Sequence, residues 1–229
     1  NNIDSGRRHE QEWHEIVKRH KESDVIKGEL LARLISGDMP EKFDEEFNKF
    51  LEDIKSDNQA MATRKASQLV LNYLKSLLPE LIGGSADLSG SNNTITSNSK
   101  SITEDLSGNY IYFGVREFGM NAIMNGMCLH GGLIPYGGTF LVFMDYGRNA
   151  VRMAALMGIR VVFVFSHDSV ALGEDGPTHQ PIEQLCTLRS TPNMHTWRPA
   201  NFLETAYAWK AALKLSLIHI SEPTRLLRI

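Results

Sequence analysis

The chain has 229 residues, of which 42% are hydrophobic, enough for one large domain or a domain with an appendage. Its net charge of −3 gives no basic footprint for nucleic acid. No apolar run approaches membrane-spanning length, and the polar start Asn1-Asn2-Ile3-Asp4 is no signal peptide, so neither nucleic acid nor a membrane is expected as a partner. Two cysteines, Cys128 and Cys186, fit a reducing cytoplasm, and both are expected on apolar helical faces.

Residues 1–58 carry 25 of the 51 charged side chains and read as a charged helical connector. Ser23 and Asp24 can cap a helix running to about Ile35 and closed by Gly37. Phe43, Phe47, Phe50, Leu51 and Ile54 recur at helical spacing and predict one apolar stripe. Beyond 58 the pattern alternates between strand and helix. Asn58 is placed to cap a helix bearing Ala62, Ala66, Leu69, Tyr73 and Leu77, stopped by Pro79. Leu81-Ile82-Gly83-Gly84 reads as a short strand into a glycine-rich loop, and residues 89–108 as a long polar surface loop. Tyr110 to Val115 reads as a strand, followed by a helix with Met120, Ile123, Met124 and Met127 inward. Val142 to Met157 predicts another helix, Val161–Phe165 a buried central strand, and Ile182–Leu188 a short helix. Met194–Trp197 predicts a strand before a helix from Phe202 to Leu213. The expected fold class is α/β, a parallel sheet with helices on both faces. The domain is expected to span 59–214. Residues 215–229 have no clear period and read as a non-native tail, resembling strings found at the ends of misassembled reading frames; the alternative is a final strand of the domain.

The densest chemistry follows the central strand. His167, Asp168, Glu174, Asp175 and His179 sit beyond its carboxyl end, where open parallel sheets bind ligands. Two readings stand. One is a metal site, although the spacings match no short zinc signature and no cysteine is near. The other is a set of imidazoles and acids that hold sugar hydroxyls and phosphate and relay protons. Glu117 falls where a strand hands over to a helix, and a helix-start acid is favoured by the dipole alone. Phe113, Phe118, Met120 and Met124 are expected to surround it with apolar atoms, which favours a protonated acid able to donate to a ring nitrogen. Phe140, Phe143 and Tyr146 lie three apart after Gly137-Gly138; core packing explains such a stripe, and so does a flat heteroaromatic ligand. Gly83 through Ser91 can bind phosphate through backbone N–H and hydroxyl groups, or can be only a turn.

From about Thr63 to Leu213 the chain resembles the middle, pyrimidine-binding domain of transketolase, a thiamine diphosphate enzyme. The matching pieces, in order, are Ala62-Thr63-Arg64-Lys65-Ala66-Ser67, Gly83-Gly84-Ser85-Ala86-Asp87-Leu88, Val115-Arg116-Glu117-Phe118-Gly119-Met120, Pro135 through Phe140, His167-Asp168-Ser169, Gly173 through Pro181, and Trp197-Arg198-Pro199-Ala200. The resemblance implies that Glu117 hydrogen-bonds the aminopyrimidine ring and that Phe140, Phe143 and Tyr146 form its aromatic pocket. It implies that Arg64, Ser91 and His167 clamp the sugar phosphate. Asp175 would meet a substrate hydroxyl, His179 the reacting carbonyl, and Asp87 the cofactor near a subunit interface. Glu117, His167 and His179 are the implied catalytic residues. The implied reaction is transfer of a two-carbon ketol unit from a ketose phosphate to an aldose phosphate by a cytoplasmic homodimer of the pentose phosphate pathway.

The departures bear on these expectations. Nothing resembles the family's first domain, which holds the diphosphate and its Mg2+, and the third domain is absent, so no metal ligand is expected in this chain. After Leu213 the family continues with a core strand ending in an arginine that grips phosphate, where this chain has the segment 215–229. The chain alone is expected to be inactive. The alternatives are dihydroxyacetone synthase or another thiamine diphosphate enzyme, such as 1-deoxyxylulose-5-phosphate synthase, against which His167-Asp168-Ser169 argues. A non-catalytic dimerisation or binding module is the alternative from another class.

Overall fold

The computed structural model describes residues 2–56 and 60–215, and the backbone of 219–221. The chain divides into two compact units, Asn1–Pro40 and Glu41–Ile229. The first holds α1 (Asn2–Ser23) and α2 (Val25–Ser36). The expected cap forms: the Asp24 side chain accepts from the Lys27 N–H, and Gly37 closes α2 at φ 75°.

The second unit begins ahead of the boundary expected at 58. In α3 (Phe43–Ser56), Phe43, Phe47, Leu51 and Ile54 are buried. Phe50 stacks on Tyr73 with ring centroids 4.1 Å apart. The predicted stripe therefore packs on the domain instead of standing off as a connector, and Asp44 pairs with Lys210 and Lys214 at the far end of the chain.

The remaining elements are α4 (Thr63–Leu77), β1 (Leu81–Ser85), α5 (Ser89–Asn92), β2 (Tyr110–Tyr112), α6 (Glu117–His130) and β3 (Ile134–Phe140). After a 3-10 turn at Leu141–Phe143 come α7 (Met144–Met157), β4 (Val162–Ser166), α8 (Gln184–Ser190), β5 (His195–Trp197), α9 (Phe202–Lys214) and β6 (His219–Ser221). The expected Asn58 cap lies outside the described residues; α4 starts after Ala62, without a side-chain cap. The strands form one sheet in the order β2-β1-β3-β4-β6-β5, every pair parallel, as the alternating pattern predicts. Backbone pairing continues past 214: His219–Ser221, expected outside the domain, runs between β4 and β5.

The sequence reading assigns no strand at β3, yet all seven of its residues are buried. Its side chains alternate between faces. Gly137 faces α6, where an added Cβ would lie 2.6 Å from the Met124 sulfur. Tyr136 faces the other way, edge-on to Trp209 of α9 at 5.8 Å, and Trp209 donates to Ser67 of α4. Helices thus cover both faces. On the α6–α7 side, Met120, Met124, Met144, Val151, Phe163 and Phe165 form the dry core. Full burial of each such side chain contributes about 1.5–3 kcal/mol relative to exposure. Two expectations on helical faces are corrected. Ile123 is exposed, because α6 turns Asn121 and Asn125 inward instead, and Cys186 is exposed while Cys128 is half-buried.

Candidate functional site

The carboxyl ends of β1, β3 and β4 bring the candidate residues together. A cavity of about 220 Å³ opens there, lined by Arg64, Ser67, Asn92, Ser166, His167 and Asp168 among others. Arg64 sits in the first turn of α4. Its Nη1 donates to the Ser91 carbonyl at 3.2 Å and to His167 Nε2 at 3.1 Å. A guanidinium only donates, so Nε2 accepts and the proton of the imidazole lies on Nδ1, which faces the Ser166 hydroxyl at 2.9 Å. Desolvation, and then the Arg64 cation, hold His167 below its ordinary pKa, while Asp175 and Asp168 pull the other way. The ring is therefore a neutral acceptor at neutral pH.

His167 is the residue at which β4 gives way to its loop, and its φ is 58°. Left-handed backbone costs a non-glycine residue about 1–2 kcal/mol, and such strain persists only where neighbours impose it. Three contacts do so. Phe140 stacks on the imidazole at 3.9 Å, Ser166 holds Nδ1, and the next residue, Asp168, is gripped by Arg198.

Aromatic contacts continue from this point. Phe140 and Phe143 lie parallel at 5.7 Å, Phe143 meets Tyr146 at 5.9 Å, and His179 stands edge-on to Phe143 at 5.1 Å. The Thr178 hydroxyl holds His179 Nδ1 at 2.9 Å. Tyr146 is 69% exposed, so its outer side is open.

Glu117 begins α6 and is only 7% exposed. No described residue hydrogen-bonds or ion-pairs with its carboxylate. The first turn of α7, directly after the aromatic turn, packs against the first turn of α6. A Cβ on Gly147 would lie 3.3 Å from the Glu117 carbonyl oxygen and 2.2 Å from Asn121 Nδ2, so only glycine permits this approach. Phe118, expected around the acid, is 53% exposed and faces outward. Both amide atoms of Asn121 and the Thr139 hydroxyl are buried without a hydrogen-bond partner. Such groups cost free energy unless something pairs with them. A flat, nitrogen-bearing ring fits this setting: it needs an aromatic flank and a buried acid free to hydrogen-bond, and both are present.

The other candidates are less closely drawn in. Ser91 contributes its carbonyl to Arg64, with its neighbour Asn92 on the cavity wall. Asp175 is exposed but close enough to act on the charge of His167. Asp87 is exposed, has φ 63°, and lies outside the cavity lining. Among the described residues, no group of three or more His, Cys, Asp or Glu could hold a metal ion. Sequence reasoning does not single out Ser166, Asn121, Thr139 or the Asp168–Arg198 pair. Thr139, Asp168 and Arg198 do lie within the matching motif segments, and Asp168 is among the acids noted after the central strand, but nothing in the sequence joins Asp168 to Arg198.

Residues 59–228 match the family model described as transketolase, pyrimidine binding domain. The chain is 50% identical over 211 residues to transketolase 1 of Vibrio parahaemolyticus and 54% identical over 205 residues to the transketolase of Buchnera aphidicola. These alignments cover 92% and 90% of this chain but 32% and 31% of those proteins, so the chain spans about a third of the length of the relatives it matches. Among solved structures it is similar to a Pichia stipitis transketolase in complex with sedoheptulose 7-phosphate, with a TM-score of 0.88 and 40% identity over 96% of this chain and 33% of that one.

Proposed function

The chain belongs to the transketolase pyrimidine-binding domain family, and we propose that it supplies the aminopyrimidine half of a thiamine diphosphate site in a longer protein. That protein would move a two-carbon ketol unit from a ketose phosphate to an aldose phosphate. The observation that carries this reading is Glu117, a buried acid with no partner among the described residues, set beside the aromatic turn 140–146. When bound, thiamine diphosphate supplies a carbon nucleophile able to take up and release the two-carbon unit.

The chain's own residues do the rest. Glu117 holds a proton at a ring nitrogen, a hydrogen bond that a buried carboxyl makes at little entropic cost because α6 fixes it. Phe140, Phe143 and Tyr146 flank the ring and exclude water. Arg64 is permanently charged and suits a phosphate, with His167 and Ser91 beside it. His179, edge-on to Phe143, is available to donate to a carbonyl oxygen, and Asp175 to accept from a hydroxyl. Asp87 is kept as a residue near the cofactor and subunit interface.

The diphosphate and Mg2+ are assigned to the rest of the longer protein. A cytoplasmic homodimer is inferred as well. Exposed Phe118, Ile123, Tyr146, Met153 and Leu156 on α6 and α7 are apolar surface of the kind a partner covers, and the free cysteines suit a reducing compartment. The test joins this chain to the remaining two-thirds of a relative and measures transfer from sedoheptulose 7-phosphate to an aldose phosphate, with thiamine diphosphate and Mg2+. Turnover within tenfold of the relative is expected. A folded protein without transfer contradicts the reading.

A further inference from the structure

We propose that Arg198 is a positioning residue for His167: by gripping Asp168 it fixes the backbone turn that aims the imidazole at Arg64. The pair is built for this. Arg198 pairs through Nε with the Asp168 carboxylate and donates through Nη2 to the Asp168 carbonyl at 3.4 Å. One guanidinium thus holds both the side chain and the main chain of the residue after His167. Their side chains are 17% and 10% exposed, so this is not a solvated surface pair.

The location adds a reason for arginine. Asp168 follows the end of β4 and Arg198 follows the end of β5, and these strands are not neighbours, since β6 runs between them. Two strand spacings are about 9.6 Å. Only a long side chain with several donors spans that gap and still makes two bonds. Pro199, next to Arg198, lines the same cavity as His167.

The pair also sets the charge that His167 meets. The charged and titratable groups facing the ring are Arg64 from α4, Asp175 and His179 from the loop after β4, and Asp168 itself. Phe140 stacks on it without charge. An unpaired Asp168 carboxylate would favour the imidazolium, whose Nε2–H points at the Arg64 guanidinium and repels it. Arg198 neutralises that carboxylate and keeps Nε2 an acceptor. The link to sugar phosphates rests on the function proposed above; the arrangement itself does not.

The experiment follows the imidazole directly, by nitrogen-15 NMR of His167 in this 229-residue chain across pH. Arg198→Met removes the cation and keeps the stem; His167 should titrate about one pH unit higher and lose its Nδ1–H tautomer. Asp168→Asn should move it lower, the opposite sign. Arg198→Lys keeps the charge without the fork, so the titration should stay near wild type while the tautomer is lost. A role confined to stability would lower thermal midpoints and leave all three titrations on the wild-type curve, which would overturn the proposal. If Arg198→Met does not fold, the other two variants decide: a lowered titration in Asp168→Asn with a near-wild-type titration and a lost tautomer in Arg198→Lys supports the proposal, and wild-type behaviour in both overturns it. Inorganic phosphate separates this inference from the functional reading. No phosphate-induced shift of His167 in the wild type would count against the sugar-phosphate clamp, while the Arg198 claim would still be judged on the titrations.

Discussion

Helices α1 and α6 use their polar residues in opposite ways. Ten residues of α1 are Asp, Glu, Lys or Arg, and none of its residues is buried. Its ion pairs, such as Arg8–Glu12 at 3.9 Å and Lys18–Glu22 at 4.0 Å, are solvated and worth a few tenths of a kcal/mol each. Helix α6 has a single acid, Glu117, and buries it together with Asn121 and Asn125 at successive four-residue steps. Asn125 donates to the Ala150 carbonyl of α7 at 2.9 Å, so packing accounts for it, whereas both amide atoms of Asn121 are buried without a hydrogen-bond partner, a cost that packing does not offset. Density of charge marks solvated surface, whereas burial of a few polar groups marks out the candidate site.

The sharpest way to break this comparison is at the seam between α6 and α7. Gly147→Ala would force a Cβ onto Asn121, and a loss of about 1–3 kcal/mol in urea unfolding is expected. A loss within about 0.5 kcal/mol would mean that the seam is loose and the buried stripe not held in place.

Lys75 on α4 is an intermediate case, a cation half-buried against the rings of Tyr110 and Tyr136 and bonded to Ser99 and Asn109. Burial pushes its pKa down to about 8. A lowered lysine pKa penalises the folded state while both states are protonated, below pH 8. The penalty is relieved as pH rises from 8 towards the unfolded value near 10.5. Wild type should therefore gain on Lys75→Met over that window, by on the order of 1 kcal/mol once discounted for partial exposure. Thermal melts of both proteins at pH 7.5 and 10 check the sign. The smallest effect is expected on α1, where Trp13→Ala should change unfolding free energy by less than about 0.5 kcal/mol.

Much of the architecture was legible in the chain. Val161–Phe165 is a run of β-branched and aromatic residues, and it forms β4 shifted by one residue. Strand β3 was not legible, because Pro135, Gly137 and Gly138 are turn signals; the two glycines lie in a strand because Met124 fills the space over Gly137 while Thr94 and Asn92 fill that over Gly138. Helix α6 was read from hydrophobicity alone, which found Met120 and Met124 but could not place Asn121 inside. Arg64 and His167 are 103 residues apart, so no spacing rule joins them; only the ordered motifs suggested one site. The Asp168–Arg198 bridge depends on sheet order, which a single sequence does not encode locally. The segment after 214 has no period that announces a strand, and its backbone nonetheless pairs at His219–Ser221.

The central claim is that Glu117 presents an acidic proton to the pyrimidine ring. The direct measurement is hydrogen–deuterium exchange at thiamine diphosphate C2, in the longer protein carrying this chain, comparing wild type with Glu117→Gln and Glu117→Asp. Gln keeps the size without the acid, and Asp keeps the acid but withdraws it by one methylene, beyond good hydrogen-bond length. Both variants should fold, and both should slow exchange on the order of 10²-fold or more. Wild-type exchange in a folded Glu117→Gln protein would reduce Glu117 to a helix-start acid and contradict the account.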